Sequence, residues 1–159
     1  MMQKSFLVVL VAFSVNLTFS QKNYHHNYYP SGKLRSEGWK LGEAKVNFWY
    51  FYHENGQVSH EGHFKNDHKD GYWYFYSTEG KLLKEGHFIN NKAEKWWIIY
   101  DIAARITRKY QYKNNKKEGY CLLYRNHKLF KAERYSNDKK TGEWTDVFSF
   151  KRDNPNASL

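Results

Sequence analysis

The chain repeats one short phrase of apolar and polar positions. An aromatic run opens it; a glycine turn, a strand of alternating character and a polar loop follow. The clearest copy runs Trp49-Tyr50-Phe51-Tyr52, then His53-Glu54-Asn55-Gly56, then Gln57 to Phe64, closed by Lys65 and Asn66. Aromatic runs suit a pleated, half-buried surface, and two strand-like runs around a glycine turn predict a β-hairpin. No segment sustains the apolar period of about 3.6 residues that a helix needs. The nearest, Ile98 to Arg108, holds Tyr100 and Ile106 in step with the strand positions and is read as strand.

The phrase recurs on a 24-residue beat. Tyr29, Tyr52, Tyr76, Tyr100 and Tyr124 are spaced by 23, 24, 24 and 24 residues. Trp49, Trp73, Trp97 and Trp144 mark a second column, with Cys121 in the remaining place. Glu37-Gly38, Glu61-Gly62 and Glu85-Gly86 form a third, with Lys109-Tyr110 and Glu133-Arg134 as degenerate copies. An aromatic and an asparagine close each unit: Phe64 and Asn66, Phe88 and Asn90, Tyr112 and Asn114, Tyr135 and Asn137. Registered columns of this kind are the signature of a repeat protein. The expected fold is all-β, an elongated single-sheet antiparallel meander of about five 24-residue hairpins and 10 or 11 strands.

Turn chemistry refines each hairpin. Pro30-Ser31-Gly32, Glu54-Asn55-Gly56 and Thr78-Glu79-Gly80 fit a three-residue loop that needs positive φ at the glycine alone. That loop sets Tyr52 opposite Val58, and unbroken alternation then sets Tyr50 opposite His60. On that register Val58, Gly62 and Phe64 share a face with Tyr52, while Trp49 and Phe51 lie with Ser59, Glu61 and His63. A bulge at the mid-strand glycines would shift these faces by one residue.

Both ends stand apart from the repeats. Lys4, the apolar run Phe6 to Val15, and the small residues Thr18 and Ser20 read as a secretory signal peptide over residues 1–20, cut before Gln21. The apolar run is too short for a bilayer span, which takes about 18 residues or more. Residues 21–27 read as an N-terminal extension, 28–150 as the repeat domain and 151–159 as a disordered tail. The protein is thus expected in the periplasm or outside the cell.

Composition changes the picture in two places. Of 159 residues 31 are aromatic, so packing is expected from Tyr, Trp and Phe laddering across strands. Without Lys4 the chain carries 25 Lys and Arg against 16 Asp and Glu, a formal charge of +9. In an exported protein that excess points to anionic envelope material, lipid or glycan, and away from nucleic acid. Lys65, Lys69, Lys92, Lys95, Lys113, Lys116, Lys117, Lys139 and Lys140 recur in the inter-repeat loops and are expected to form one basic ridge. Trp49, Trp73 and Trp97 with Lys113, Lys116 and Lys117 are the candidate binding surface. The single cysteine of the mature chain, Cys121, excludes an intramolecular disulfide and reads as a packed thiol.

Little here points to catalysis or metal. His60 and His63 fall on opposite faces of a strand, and His63 and His87 lie about 10 Å apart in one column, too far for a shared ion. The glycines come one per turn and do not cluster into a phosphate cradle. No catalytic residue, cofactor or metal ligand is assigned.

The columns resemble the variant MORN repeat (membrane occupation and recognition nexus). The matching residues are Trp49, Tyr52, Asn55, Gly56, Glu61, Gly62, Phe64 and Asn66, then Trp73, Tyr76, Gly80, Lys81, Glu85, Gly86, Phe88 and Asn90. The chain looks like the bacterial YwqK-family, antitoxin-like branch, many of whose members are small exported proteins. The resemblance implies a meandering sheet with binding or scaffolding roles and brings no catalytic residues. The functional expectation is a non-catalytic interaction or scaffolding module with a protein partner. Two alternatives stand beside it: an anionic lipid or glycan binder, and an antitoxin-like partner of a toxin.

Overall fold

A computed structural model of the protein describes residues 21–157. The signal peptide expected at 1–20 lies outside the described residues. Eleven strands follow in chain order: β1 (Lys22–Tyr28), β2 (Leu34–Leu41), β3 (Ala44–Tyr52), β4 (Val58–Lys65), β5 (His68–Tyr76), β6 (Leu82–Ile89), β7 (Lys92–Asp101), β8 (Ile106–Lys113), β9 (Lys116–Arg125), β10 (Lys128–Ser136) and β11 (Lys139–Trp144). They form one antiparallel sheet in sequence order, each strand hydrogen-bonded to its neighbours in the chain. A short helix, α1 (Val147–Asp153), closes the array. The all-β meander is the architecture that the repeat predicts.

Two turn types recur along the sheet; the departures are Gly42-Glu43 between β2 and β3, residues 102–105 between β7 and β8, and Asn126-His127 between β9 and β10. On one side are the three-residue loops, with Gly32, Gly56 and Gly80 at φ of 81°, 89° and 75°. His53 N–H donates to Gln57 O at 2.8 Å and closes the loop around Glu54, Asn55 and Gly56. On the other side are two-residue turns with both residues left-handed: Asn66-Asp67, Asn90-Asn91, Asn114-Asn115 and Asn137-Asp138. Asparagine and aspartate tolerate that conformation better than other side chains, which explains the asparagine column.

These two-residue turns also stitch repeat to repeat. Asp67 N–H donates to Lys45 O at 3.0 Å, and Asp67 Oδ1 accepts from Lys45 N–H at 2.9 Å. Asn91 on Lys69, Asn115 on Ala93 and Asp138 on Lys117 repeat the two-bond clasp. The clasp satisfies backbone groups beyond the end of the ladder.

In the hairpins β1–β2, β3–β4, β5–β6 and β9–β10 the register departs from simple alternation by one residue, while β7–β8 pairs without a shift. Tyr52 pairs with Val58 as expected, but Tyr50 pairs with Glu61, and Phe51 with His60. Ser59 is the extra residue of a β-bulge, which moves everything beyond it to the other face. Leu83 in β6 takes the same position, since Tyr76 pairs with Leu82 and Phe75 with Lys84. The expected faces are therefore exchanged beyond the bulge: Gly62 and Phe64 lie with Trp49 and Phe51, and Glu61 lies with Tyr50 and Tyr52.

Three further expectations are corrected. Tyr28, not Tyr29, heads the tyrosine column, because Tyr28 pairs with Leu34 as Tyr52 pairs with Val58. Residues 21–27, set apart as an extension, fall from Lys22 onward in strand β1, whose backbone completes a ladder with β2. The tail expected to be disordered from residue 151 instead continues helix α1 to Asp153. Phe150 is 2% exposed against Leu122 and Ala132, with Tyr120, Trp144 and Ala157 around them. Asn154 is buried as well, its side chain accepting from Tyr120 Oη at 2.9 Å and donating to Phe150 O at 3.0 Å. Hydrogen bonding, which an apolar count does not register, holds this end down. The residues past 150 do lie outside the sheet.

Candidate functional site

The two faces of the sheet are built differently. On the first, each tryptophan lies flat on the glycine of the preceding strand. A Cβ built on Gly38, Gly62 or Gly86 would fall inside the ring of Trp49, Trp73 or Trp97, with three ring carbons within 2.6 Å. Each indole Nε1–H then donates to a backbone carbonyl: Trp49 to Trp39 at 2.9 Å, Trp73 to His63 at 3.1 Å, Trp97 to His87 at 3.0 Å. The Glu-Gly column has its glycine because a ring occupies the space above it. Phe51, His60, Phe64, Phe75 and Phe88 fill the gaps, with His60 stacked on Phe51 at a centroid distance of 4.3 Å.

Lysines cover this ladder. Lys69 Nζ sits 4.4 Å from the Trp73 ring centroid, and Lys117 Nζ 4.2 Å from that of Tyr110. Lys45 lies over Trp49 at 5.5 Å. Burial lowers the pKa of Lys69, with Lys84 nearby adding to the effect. The His60 imidazole is pushed down to about 4, first by burial and then by Lys69 and His53. Ammonium on aromatic ring contributes about 0.5–2 kcal/mol per contact, which holds these side chains down on the sheet.

The second face carries the tyrosines and glutamates. Tyr52 Oη donates to Glu37 at 2.6 Å, Tyr76 to Glu61 at 2.7 Å and Tyr100 to Glu85 at 2.5 Å, each reaching back to the preceding strand. Burial, then the bonded carboxylate, raises the pKa of all three phenols, so they stay protonated donors. His26 Nε2 adds a contact to Glu37 at 3.3 Å. Where Lys109 replaces the glutamate, its ammonium lies over the Tyr124 ring at 5.0 Å. Tyr24, Tyr28, Trp39, Tyr50 and Trp96 are exposed, and strand parity places them on this face. Exposed large apolar side chains on one face only are unusual on a surface that meets water alone.

The lysine ridge divides between the faces. Lys69 and Lys117 belong to the aromatic ladder, and Lys140 pairs with Glu133 and Glu143. Lys65, Lys92, Lys113, Lys116 and Lys139 are exposed, and their parity beside the two-residue turns puts them on the tyrosine face. The six candidate residues therefore separate. Trp49, Trp73 and Trp97 are 0%, 0% and 5% exposed and serve the fold, because the glycine beneath lets each ring sink into the sheet. Lys117 is engaged with Tyr110 and Tyr135, while Lys113 and Lys116 remain at the surface. The exposed tyrosines and Trp96 were missed by sequence reasoning. The alternation held their signal, but the bulge hid which face it named.

The far end of the array departs from the pattern. Tyr110 takes the glycine place opposite Cys121 in the tryptophan place, a large-for-small exchange. Cys121 is fully buried and its thiol is pushed up to about 12, chiefly by burial and then by Glu133. In β10 the corresponding pair is Ala132-Glu133 and not Glu133-Arg134, since Leu122 faces Ala132 and Cys121 faces Glu133. Trp144 pairs with Ala132, and so packs on α1 and not in the tryptophan column.

Among the described residues no group of three His, Cys, Asp or Glu side chains converges in a metal-holding geometry, and no helix is long and apolar enough to cross a membrane. His60 and His63 lie on opposite faces, the first in the aromatic stack and the second edge-on to Phe48 at 5.0 Å. Three stretches, residues 27–38, 49–66 and 69–90, match the model of the MORN repeat variant. These stretches are similar to MORN-variant repeats, and the matched part stops short of the Tyr110–Cys121 exchange. No curated protein matches the chain.

Proposed function

We propose that this chain, with MORN-variant repeats over those residues, is an exported, non-catalytic binding module that holds a protein partner on its tyrosine face. One observation carries the reading. The tryptophan face is sealed by its own rings and lysines, while the tyrosine face leaves Tyr24, Tyr28, Trp39, Tyr50 and Trp96 exposed. Repeat sheets present extended surfaces of this kind, and exposed tyrosine and tryptophan are enriched where proteins meet. The test is a pulldown with the mature chain from its own envelope fraction, repeated with Tyr50→Ser and Trp96→Ser. Both side chains are exposed, so the fold should survive. Loss of a captured protein supports the reading, and capture unchanged by the double replacement overturns it.

A second reading has its own support: an anionic lipid or glycan. Lys92, Lys113, Lys116 and Lys139 line one rim of the same face, and the chain carries +9 once residues 1–20 are gone. Binding to anionic vesicles or acidic glycan that falls steeply with salt is its signature.

A further inference from the structure

We propose that the outer edge of β1 accepts an extended strand from another protein, and that it selects a carboxylate followed by glycine or another small residue. The inference goes beyond the tyrosine-face reading and concerns the backbone edge beside that face, with which it shares Tyr28.

The repeat supplies the argument. Inside the sheet every odd strand from β3 to β7 meets an even strand on its N-terminal side in one manner. Its tryptophan lies on that strand's glycine, and its tyrosine donates to that strand's glutamate. By register β1 is an odd strand: Tyr28 pairs with Leu34 as Tyr52 pairs with Val58, and His26 pairs with Glu37 as Tyr50 pairs with Glu61. His25 thus holds in β1 the place of Trp49, and Tyr28 the place of Tyr52. No described strand lies on the outer side of β1.

The consequence is visible in the side chains. Tyr28 is 59% exposed, and among the described residues its hydroxyl has no hydrogen-bond partner, whereas Tyr52, Tyr76 and Tyr100 are half-buried on a carboxylate. Among the described residues the outward backbone N–H and C=O groups of β1 have no partner, over seven residues that contain no proline and a single lysine, at one end. Such an edge is a template for strand addition. The opposite edge differs: β11 is six residues long, begins with Lys139 and Lys140, and has α1 packed against it.

The same register names the occupant. A strand added antiparallel to β1 in the repeat's geometry sets its small residue beside His25 and its carboxylate beside His26, within reach of Tyr28. Glu37 already takes His26 at 3.3 Å and Tyr52 at 2.6 Å from the inner side, so the chemistry is that of an existing pair. A second copy does not supply this strand. Both free edges, β1 and β11, are odd strands, and the Glu-Gly strands β2, β4 and β6 are paired on both sides.

The probe is a capped peptide of residues 80–91 of this chain, which carries Glu85-Gly86 and pairs with β7 in the required way. It is titrated into the mature protein from Gln21 onward and followed by amide NMR. Saturable shifts and slowed exchange confined to Asn23 through Tyr28 and their β2 neighbours are expected. Glu85→Gln and Gly86→Val in the peptide should each weaken binding by about tenfold, the scale of a lost charge-assisted hydrogen bond or a steric block. Tyr28→Phe in the protein, at an exposed site, should remove the discrimination between Glu and Gln without unfolding. No β1 response at millimolar peptide, equal binding of the three peptides, or pairing of β1 with a second copy that the peptide does not displace would each overturn the proposal. Gln at Lys92, Lys113, Lys116 and Lys139 should leave peptide binding unchanged, which separates this edge from the lysine rim.

Discussion

The glycine under each tryptophan invites a quantitative test at Gly62. Its φ is not in the left-handed region, so alanine there strains no backbone. The cost comes from the Trp73 ring, since the new methyl carbon would lie within 2.6 Å of three ring carbons. The indole must lift away from a site where it is 0% exposed. It would loosen its Nε1 bond to His63 O at 3.1 Å and its edge contacts with Phe64 at 5.1 Å and Phe88 at 6.1 Å. Overpacking of a close-packed site costs about 1–3 kcal/mol and a weakened buried hydrogen bond about 1 more, so Gly62→Ala should destabilise by about 2–4 kcal/mol. In a domain of this size that lowers the melting midpoint by about 10 °C.

The chain itself suggests the rescue. Tyr110 and Cys121 occupy the glycine and tryptophan places with large and small exchanged, and Cys121 is still fully buried. Trp73→Cys alone should cost about 3–5 kcal/mol through the cavity it leaves. Gly62→Tyr combined with Trp73→Cys should recover at least about 2 kcal/mol relative to the sum of the single changes, as coupled neighbours do. Urea unfolding followed by circular dichroism, under reducing conditions, measures the cycle. A Gly62→Ala variant within about 0.5 kcal/mol of the parent, or a double variant no better than the sum, would refute ring-on-glycine packing as the basis of the column.

Other outcomes follow from the same structure. Gly56→Ala, at φ 89° with open space around the new methyl, should cost about 1 kcal/mol from backbone conformation alone, readable as a midpoint shift. His60, with a pKa of about 4 in the fold against 6.5 free, favours folding fully above pH 6.5 and loses that contribution as pH falls toward 4. After discounting for its partial exposure the loss is about 1–2 kcal/mol; His60→Phe keeps the stack and should flatten the stability difference between pH 7.5 and about 4.5. Replacing Lys92, Lys113, Lys116 and Lys139 with Gln should abolish salt-sensitive binding to anionic vesicles while shifting stability by under about 0.5 kcal/mol; unchanged binding would leave these lysines as solubilising residues. If residues 1–20 are a cleaved signal, mass spectrometry of protein recovered outside the cytoplasm should find its N-terminus near Gln21, and intact Met1 in a soluble pool would count against it.

The sequence by itself determined the period, the strand class and the turns. Those properties are local: an aromatic run prefers a pleated strand, and a glycine or an Asn pair tolerates positive φ, whatever lies across the sheet. Gly56 at the left-handed turn position follows from the chain alone; the sequence marked Asn66-Asp67 only as a polar loop, although the same local tolerance admits its two-residue turn. Faces are not local. One extra residue at Ser59 exchanges them without altering composition or period, and that residue decides whether Glu61 meets a tryptophan or a tyrosine. For the same reason the tryptophans, read as a contact surface, are core. An indole is exposed or buried according to whether the neighbouring strand offers a glycine beneath it, a cross-strand fact. The ends followed the same division: β1 and α1 hold through a ladder to β2 and through Tyr120 reaching Asn154, 34 residues away. Such pairings gain their free energy from groups far apart in the chain, so only the assembled sheet could decide them.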